Sequence, residues 1–467
     1  MIRDAELIDG RRADVRIARG RILAVGGLAP ESGEAVLDAA GGLLLPGLHD
    51  HHLHLAATAA AFASVNCGPP QVADAEALAA RLAAPGTGWA RGIGYHESVA
   101  GLIDRDWLDR AAPTRPVRVQ HRSGRLWVFN TAGLGQVLAA GLAPPAGLER
   151  ERGRWTGRLY DEDAWLRRAL GSMPPDLAQV GARLAGFGVT GVTDMSPAND
   201  DATARWLAAE QARRALPQRL LLAGRREMGA GGLPAGIGLG PVKIHLHEAH
   251  LPDFETTAAI VRDAHARGRG VAVHCVTAAE LAFTLAVLRE AGPIEGDRIE
   301  HAAVASDDML DEIAAQRLSV TVQPNFVGER GDAYRAMIPE AEWSSLYRLR
   351  AFLDRRAPLA GGSDAPFGAA DPWAAMAAAV SRRTPDGALL GEADALTPEE
   401  ARDLFLADPV DLARARAIDP GAPADLCLLD RPWRAARKTL GADLVRATFI
   451  GGRIVHHRIH QAPLERL

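Results

Sequence analysis

Lysine is almost missing from this chain: of 53 basic residues only Lys243 and Lys438 are lysine, and the other 51 are arginine. Beside the richness in alanine, such a bias fits the codon usage of a GC-rich genome. A lysine that survives it marks a position to examine for something arginine cannot do. Cysteine is scarce as well. Cys67, Cys275 and Cys427 are an odd number, too few for a disulfide framework, and point to a reducing compartment. No run of about 18 apolar residues occurs, and the N-terminal MIRDAELIDG carries charges where a signal peptide needs an apolar core. The expected location is therefore cytoplasmic. Dense Lys/Arg runs are also absent and the formal net charge is -5, so there is no electrostatic footprint for nucleic acid or for an anionic membrane. The expected partner is a small-molecule substrate.

What is there is an ordinary globular balance, 48% hydrophobic and 24% charged, over 467 residues, long enough for one large domain and a smaller one. Both ends read as short strands broken by Gly turns: AELIDG, ADVRIARGRILAVGG and EAVLDAAGG at the start, ADLCLLD and VRATFIGGRIVHH at the finish. Neither end has enough strands to stand alone, so 1–48 plus 400–467 are expected to form one composite β-sandwich. Between them, 49–399 alternates apolar runs with helix-like segments, the pattern of parallel βα units. Eight candidate strands occur: GLLLPGLHDHHLH, VTGVTDM, RLLLAG, PVKIHLHE, VAVHCV, RIEHA, SVTVQPNF and PLAGGSD. Eight is the number a closed (β/α)8 TIM barrel requires, making the fold class α/β. The long gap after the first strand, roughly 60–185, has its own strand-like VRVQHRSG and LWVFN and holds five of the nine tryptophans. It is read as an insertion covering the barrel mouth.

The densest chemical signal is Leu48-His49-Asp50-His51-His52-Leu53-His54. Residues two apart in a strand share a face, so His52 and His54 can reach one metal, and His49 and His51 share the opposite face in the same way. Lys243 lies in the apolar strand VKIHL with no obvious counter-ion, where a charged ammonium is costly. A deprotonated amine there can take up carbon dioxide as a carbamate, an anionic ligand able to bridge two metals; a salt-bridged or snorkelling lysine is the plainer alternative. His274 ends VAVH and His301 ends RIEH, where barrel strands present catalytic groups. Asp364 ends PLAGGSD and can ligate metal and move protons, or cap a helix. Cys275 points away from its neighbour His274 and is read as a packed thiol. Tyr95, His96, Arg125, Trp127, Gln323 and Asn325, on the insertion or at strand ends, are the candidate substrate-binding residues; Arg125 could clamp a carboxylate, though a solvated or structural arginine is the preferred reading.

Taken together, PGLHDHHLH, VKIHL, VAVH, RIEHA and GGSDAP on the first, fourth, fifth, sixth and eighth strands resemble the amidohydrolase superfamily, and more narrowly amidohydrolase family 3, over essentially the whole chain. The resemblance implies a binuclear metal site, with zinc the expected ion and manganese, iron or nickel alternatives. His52 and His54 would hold the more buried metal, Lys243 as a carbamate would bridge, and His274 and His301 would hold the second. Asp364 would contact the buried metal and act as general base for a metal-activated hydroxide cleaving a non-peptide C–N bond. The substrate class is a small amide, formamide, N-acyl or cyclic amide compound. The alternatives are a mononuclear metal deaminase, against which Lys243 argues, and a metal-free scaffold homologue. A homo-oligomer is compatible with the resemblance. Three departures stand out: His247-Glu248 where family members show Asp-Gly, Thr277-Ala278-Ala279 for Gly-Asp-Arg, and Ser123-Gly124-Arg125 for Ser-Gly-His.

Overall fold

The computed structural model describes residues 1–458 apart from positions 70, 85, 87, 172 and 173. Eight strands form one all-parallel sheet in chain order: β1 (Leu48–Leu53), β2 (Val189–Asp194), β3 (Arg219–Gly224), β4 (Ile237–Ile244), β5 (Val271–Cys275), β6 (Arg298–His301), β7 (Ser319–Val322) and β8 (Leu359–Gly361). The last strand returns to the first through the loop after β8, where Asp364 N–H donates to the His52 carbonyl at 2.7 Å. That seam leaves room for backbone alone. A Cβ on Gly362 would sit 2.6 Å from the His52 nitrogen, which is why the run reads Gly-Gly-Ser-Asp. The expected TIM barrel is therefore present.

Helices follow the strands, and their starts are set by side chains that satisfy the first free N–H groups. Asp200 caps Asp201–Ala212, Asp253 caps Phe254–Ala266 and Ser306 caps Asp307–Ala315, while Thr277 and Glu280 form a capping box on Ala278–Ala291. Thr277, one of the departures noted above, thus has a structural task. Among the described residues no helix is long and apolar enough to cross a membrane.

The chain ends form two four-stranded sheets. One holds Arg21–Gly26, Arg12–Ala18, Ile2–Glu6 and Leu37–Asp38; the other holds Arg453–His457, Val445–Ile450, Leu426–Leu429 and Leu44–Pro46. Ile2, Val15, Ile22, Leu44, Leu426, Leu428 and Phe449 share one apolar core, so the sheets pack as a sandwich built from both termini. The run GLLLPGLHDHHLH is two strands in two sheets, divided at Gly47, where a Cβ would lie 2.1 Å from the Thr190 methyl. At the other boundary, Leu404 accepts from Gly361 N–H, and Ala407 and Leu412 pack on Ala360 of β8. The segment just after 400 therefore belongs with the barrel.

Ala56–Asp176 is a separate compact unit. It carries a six-stranded mixed sheet in the order Leu148–Glu151, Arg154–Tyr160, Leu126–Phe129, Val117–His121, Ala90–Tyr95 and Val65–Asn66. Its limits differ from 60–185 because the helix Ala178–Gly186 packs on β2 of the barrel unit.

Candidate metal centre

The six residues of β1 are all buried, and their alternation divides the histidines between two faces. His52 Nδ1 donates to Glu300 Oε2 at 2.5 Å, which leaves Nε2 directed at Asp364 Oδ1, 3.4 Å away. His54, just beyond the strand, places Nε2 3.2 Å from the same oxygen and is steadied by Ser196 Oγ at 3.1 Å from its Nδ1. His52, His54 and Asp364 each offer one ligand atom within 4.8 Å of the others. Asp364 does not cap a helix, since Asp371 fills that role for Pro372–Ser381. Asp50, two residues before His52, accepts from the N–H groups of His52 and Ser363 and so ties β1 to the loop that carries Asp364.

The remaining predicted ligands gather on the neighbouring strands. The His301 ring lies 4.8 Å from the His52 ring and 4.6 Å from the His274 ring, centroid to centroid. His301 Nδ1 donates to Gln323 Oε1 at 2.7 Å. Both His301 (φ 74°) and Asp364 (φ 54°) have left-handed backbone, a conformation seldom adopted outside glycine and often concentrated at functional positions. Lys243 on β4 is buried, and its Nζ has no hydrogen-bond partner. Burial lowers its pKa, against the pull of Glu300 and Asp364. Burial likewise holds His52 and His301 well below the usual histidine range and brings His274 to about 3, with the Lys243 charge acting in the same direction on each. The imidazoles are thus kept neutral, the form in which histidine ligates metal.

A donor set of imidazoles and a carboxylate around an orphaned buried amine suits a borderline divalent cation better than any organic group. The match to the amidohydrolase family runs over residues 35–456. The chain belongs to that family. Among curated relatives it is 26% identical to the N-substituted formamide deformylase of Arthrobacter pascens, over 95% of each chain. Among solved structures it is similar to an uncharacterised metal-dependent hydrolase from Pyrococcus horikoshii OT3, with a TM-score of 0.75 at 19% identity over 92% of this chain and 97% of that one. It also resembles N-isopropylammelide isopropylaminohydrolase from Burkholderia multivorans ATCC 17616, at a TM-score of 0.54 and 17% identity over 97% of each chain. These structural likenesses show the fold; the family match makes this chain a hydrolase of the amidohydrolase family.

Within this amidohydrolase the expected substrate residues need correction. Tyr95 is 1% exposed, donates its hydroxyl to the Gly101 carbonyl at 2.5 Å and sits in the core of the Ala56–Asp176 unit. Trp127 is also buried in that unit, donates to Asp163 and is flanked by the guanidinium groups of Arg91 and Arg118. A unit of this size needs its aromatics for its own core, so neither side chain is free to line a pocket. Arg125 is exposed and held bidentately by Asp161 at 2.7 Å, which occupies the fork a substrate carboxylate would need and fits the preferred reading of a structural arginine. His96 is half-buried, accepts from Ser98 N–H at the start of a short helix and stacks on His121. Gln323 and Asn325 are both buried: Gln323 orients His301, and Asn325 donates to Glu329 and to the Ser363 carbonyl. They act behind the metal residues.

Glu300 and His245 escaped the sequence reading, which marked His247 only as a departure. Glu300, fully buried, grips His52 and is itself held by Arg298 through Nε at 2.5 Å and Nη2 at 3.2 Å. Its signal was an acid inside the apolar run RIEH, the same kind of anomaly as Lys243. His245 and His247 follow Lys243 at successive alternate positions and are exposed, the His245 ring lying tilted 4.4 Å from the His274 ring and edge-on at 4.7 Å to His247. They form an imidazole ledge beside the metal residues. Cys275 is buried against Thr284 and its thiol is pushed up to about 12, which leaves it inert.

Proposed function

We propose that this amidohydrolase cleaves a non-peptide C–N bond of a small amide, formamide, N-acyl or cyclic amide substrate, at a site holding two divalent metals, zinc the best fit. The observation that carries the reading is the Lys243 amine, buried, partnerless and biased toward its neutral form among His52, His274 and His301. A neutral amine can add carbon dioxide, and the resulting carbamate would bridge the two metals. His52, His54 and Asp364 would hold one ion, and His274 and His301 the other. When bound, the metals supply Lewis acidity for the carbonyl and make water ionise near neutral pH.

The chain's own groups do the rest. Asp364 Oδ1, at the focus of His52 and His54, accepts the proton of the attacking water and returns it to the departing amine nitrogen, without which that nitrogen leaves poorly. Glu300 and Gln323 fix the ring orientation and tautomer of His52 and His301. His245 and His247 offer ring N–H groups and flat faces to the substrate next to His274. We place the enzyme in the cytoplasm, acting on a small molecule.

The test is metal stoichiometry in protein purified without chelator, with Lys243→Ala alongside. About two metals per chain, falling in the variant, are expected for a bridged pair. One metal, indifferent to the substitution, would favour a mononuclear deaminase, and none after supplementation would sink the hydrolase reading.

A further inference from the structure

The metal residues close the strands of the barrel. At the other end, where the strands begin, a cavity of about 980 Å³ lies among the helix Ala178–Gly186, the start of β3 at Arg219 and the hairpin of Val445–Ile450 and Arg453–His457. Its wall carries four arginines, Arg19, Arg214, Arg219 and Arg453, and no aspartate or glutamate. In a chain whose acidic residues outnumber the basic ones, 58 to 53, a concavity of one sign favours an anion. Arg219 is neutralised by Asp425 at 3.0 Å. Arg19, Arg214 and Arg453 are exposed and have no hydrogen-bond or ion-pair partner among the described residues. They come from three distant parts of the sequence and line one cavity. The helix side of the cavity is apolar, with Ala182 and Ala185, and Ile454 stands 51% exposed on the hairpin.

We propose that this cavity binds a small polyanion, a molecule carrying two or more phosphate or carboxylate groups, at a site separate from the catalytic centre. Guanidinium forks match both groups bidentately, and three of them favour a ligand whose charges are spaced over it. The volume lies at the upper end of the range for small-molecule sites. Because the ligand would touch the sandwich hairpin and a barrel helix together, it stabilises the folded chain by mass action and raises its melting temperature.

The experiment titrates the whole protein at low salt with tripolyphosphate and, separately, with citrate, by calorimetry and thermal melting. One saturable site for at least one of them is expected, together with a rise in melting temperature. Arg214→Ala/Arg453→Ala should weaken binding by about tenfold or more, while Arg434→Ala, an exposed arginine outside the cavity, leaves it unchanged. Tighter binding of tripolyphosphate assigns a phosphate ligand, and tighter binding of citrate a polycarboxylate. Melting of the unliganded double variant like wild type confirms its fold; if that variant is damaged, Arg19→Ala gives the same comparison. Lack of a saturable site for both anions, or binding indifferent to the cavity arginines or equally weakened by Arg434→Ala, overturns the proposal.

Discussion

His51 and His52 are neighbours in sequence, equally buried in one strand, and have opposite surroundings. His52 faces the barrel interior, where Glu300 holds one ring nitrogen and leaves the other facing Asp364. His51 faces outward against His49, 4.6 Å between ring centroids, with neither nitrogen hydrogen-bonded to protein. His49 at least shares a hydrogen bond with Thr193 at 2.9 Å. The difference between the two is the polar group that holds the ring of His52 from behind, the support a metal-binding histidine needs. A histidine lacking it is only an unsatisfied polar group, and burial keeps both of these neutral.

The contrast can be broken at several points. Asp364→Asn removes the shared acceptor of the inner face, and kcat should drop by about 10²–10⁴-fold; a variant retaining most of its kcat would show that another group moves the proton. Glu300→Gln keeps the shape but weakens the hold on His52, so metal affinity, measured by competition with a chelator, should fall by about 10–100-fold. An unchanged affinity would mean that packing alone orients the ring. Acid should act through the same face. Burial holds His274 at about 3 in the folded chain, against about 6.5 unfolded. Between those values the unfolded chain binds a proton that the folded one refuses, so stability is full above the unfolded value and declines as pH falls. The melting temperature of metal-free protein should drop on acidification below neutrality, and His274→Gln should flatten part of that slope; a slope identical in the variant would contradict it. The smallest effect belongs to the outer face. His51→Leu removes a buried group whose lost solvation costs about 1–3 kcal/mol, so the variant should melt at or above the wild-type temperature with kcat nearly unchanged. A large loss of activity there would erase the distinction between the faces.

The inner face was legible because its logic is periodic and local. A strand alternates, so His52 and His54 pair by position alone, and His274, His301 and Asp364 each end an apolar run. Lys243 stood out as a charge in such a run, and the eight runs themselves announced the barrel. Glu300 carried a similar mark, but its meaning depends on His52, some 248 residues earlier in the chain, and only the closed barrel brings them together. Tyr95 and Trp127 were misplaced for a physical reason: an aromatic side chain in an insertion serves a pocket and a core equally well on paper, and only the size of the Ala56–Asp176 core decides. Gly47 marks a similar limit, because one apolar run of sequence supplies strands to two different sheets.

Two peptide hydrogen bonds, from Asp364 N–H to the His52 carbonyl and from His54 N–H to the Ala365 carbonyl, join the beginning of the barrel to its end. During synthesis His52 and His54 emerge early, and the carboxylate that would complete their proposed metal set is made only after seven other barrel strands have been laid down. A fragment of this chain that stops short of β8 lacks Asp364, and with it the group proposed to complete that set. On the proposed reading, the reactive centre is complete only when the ring shuts.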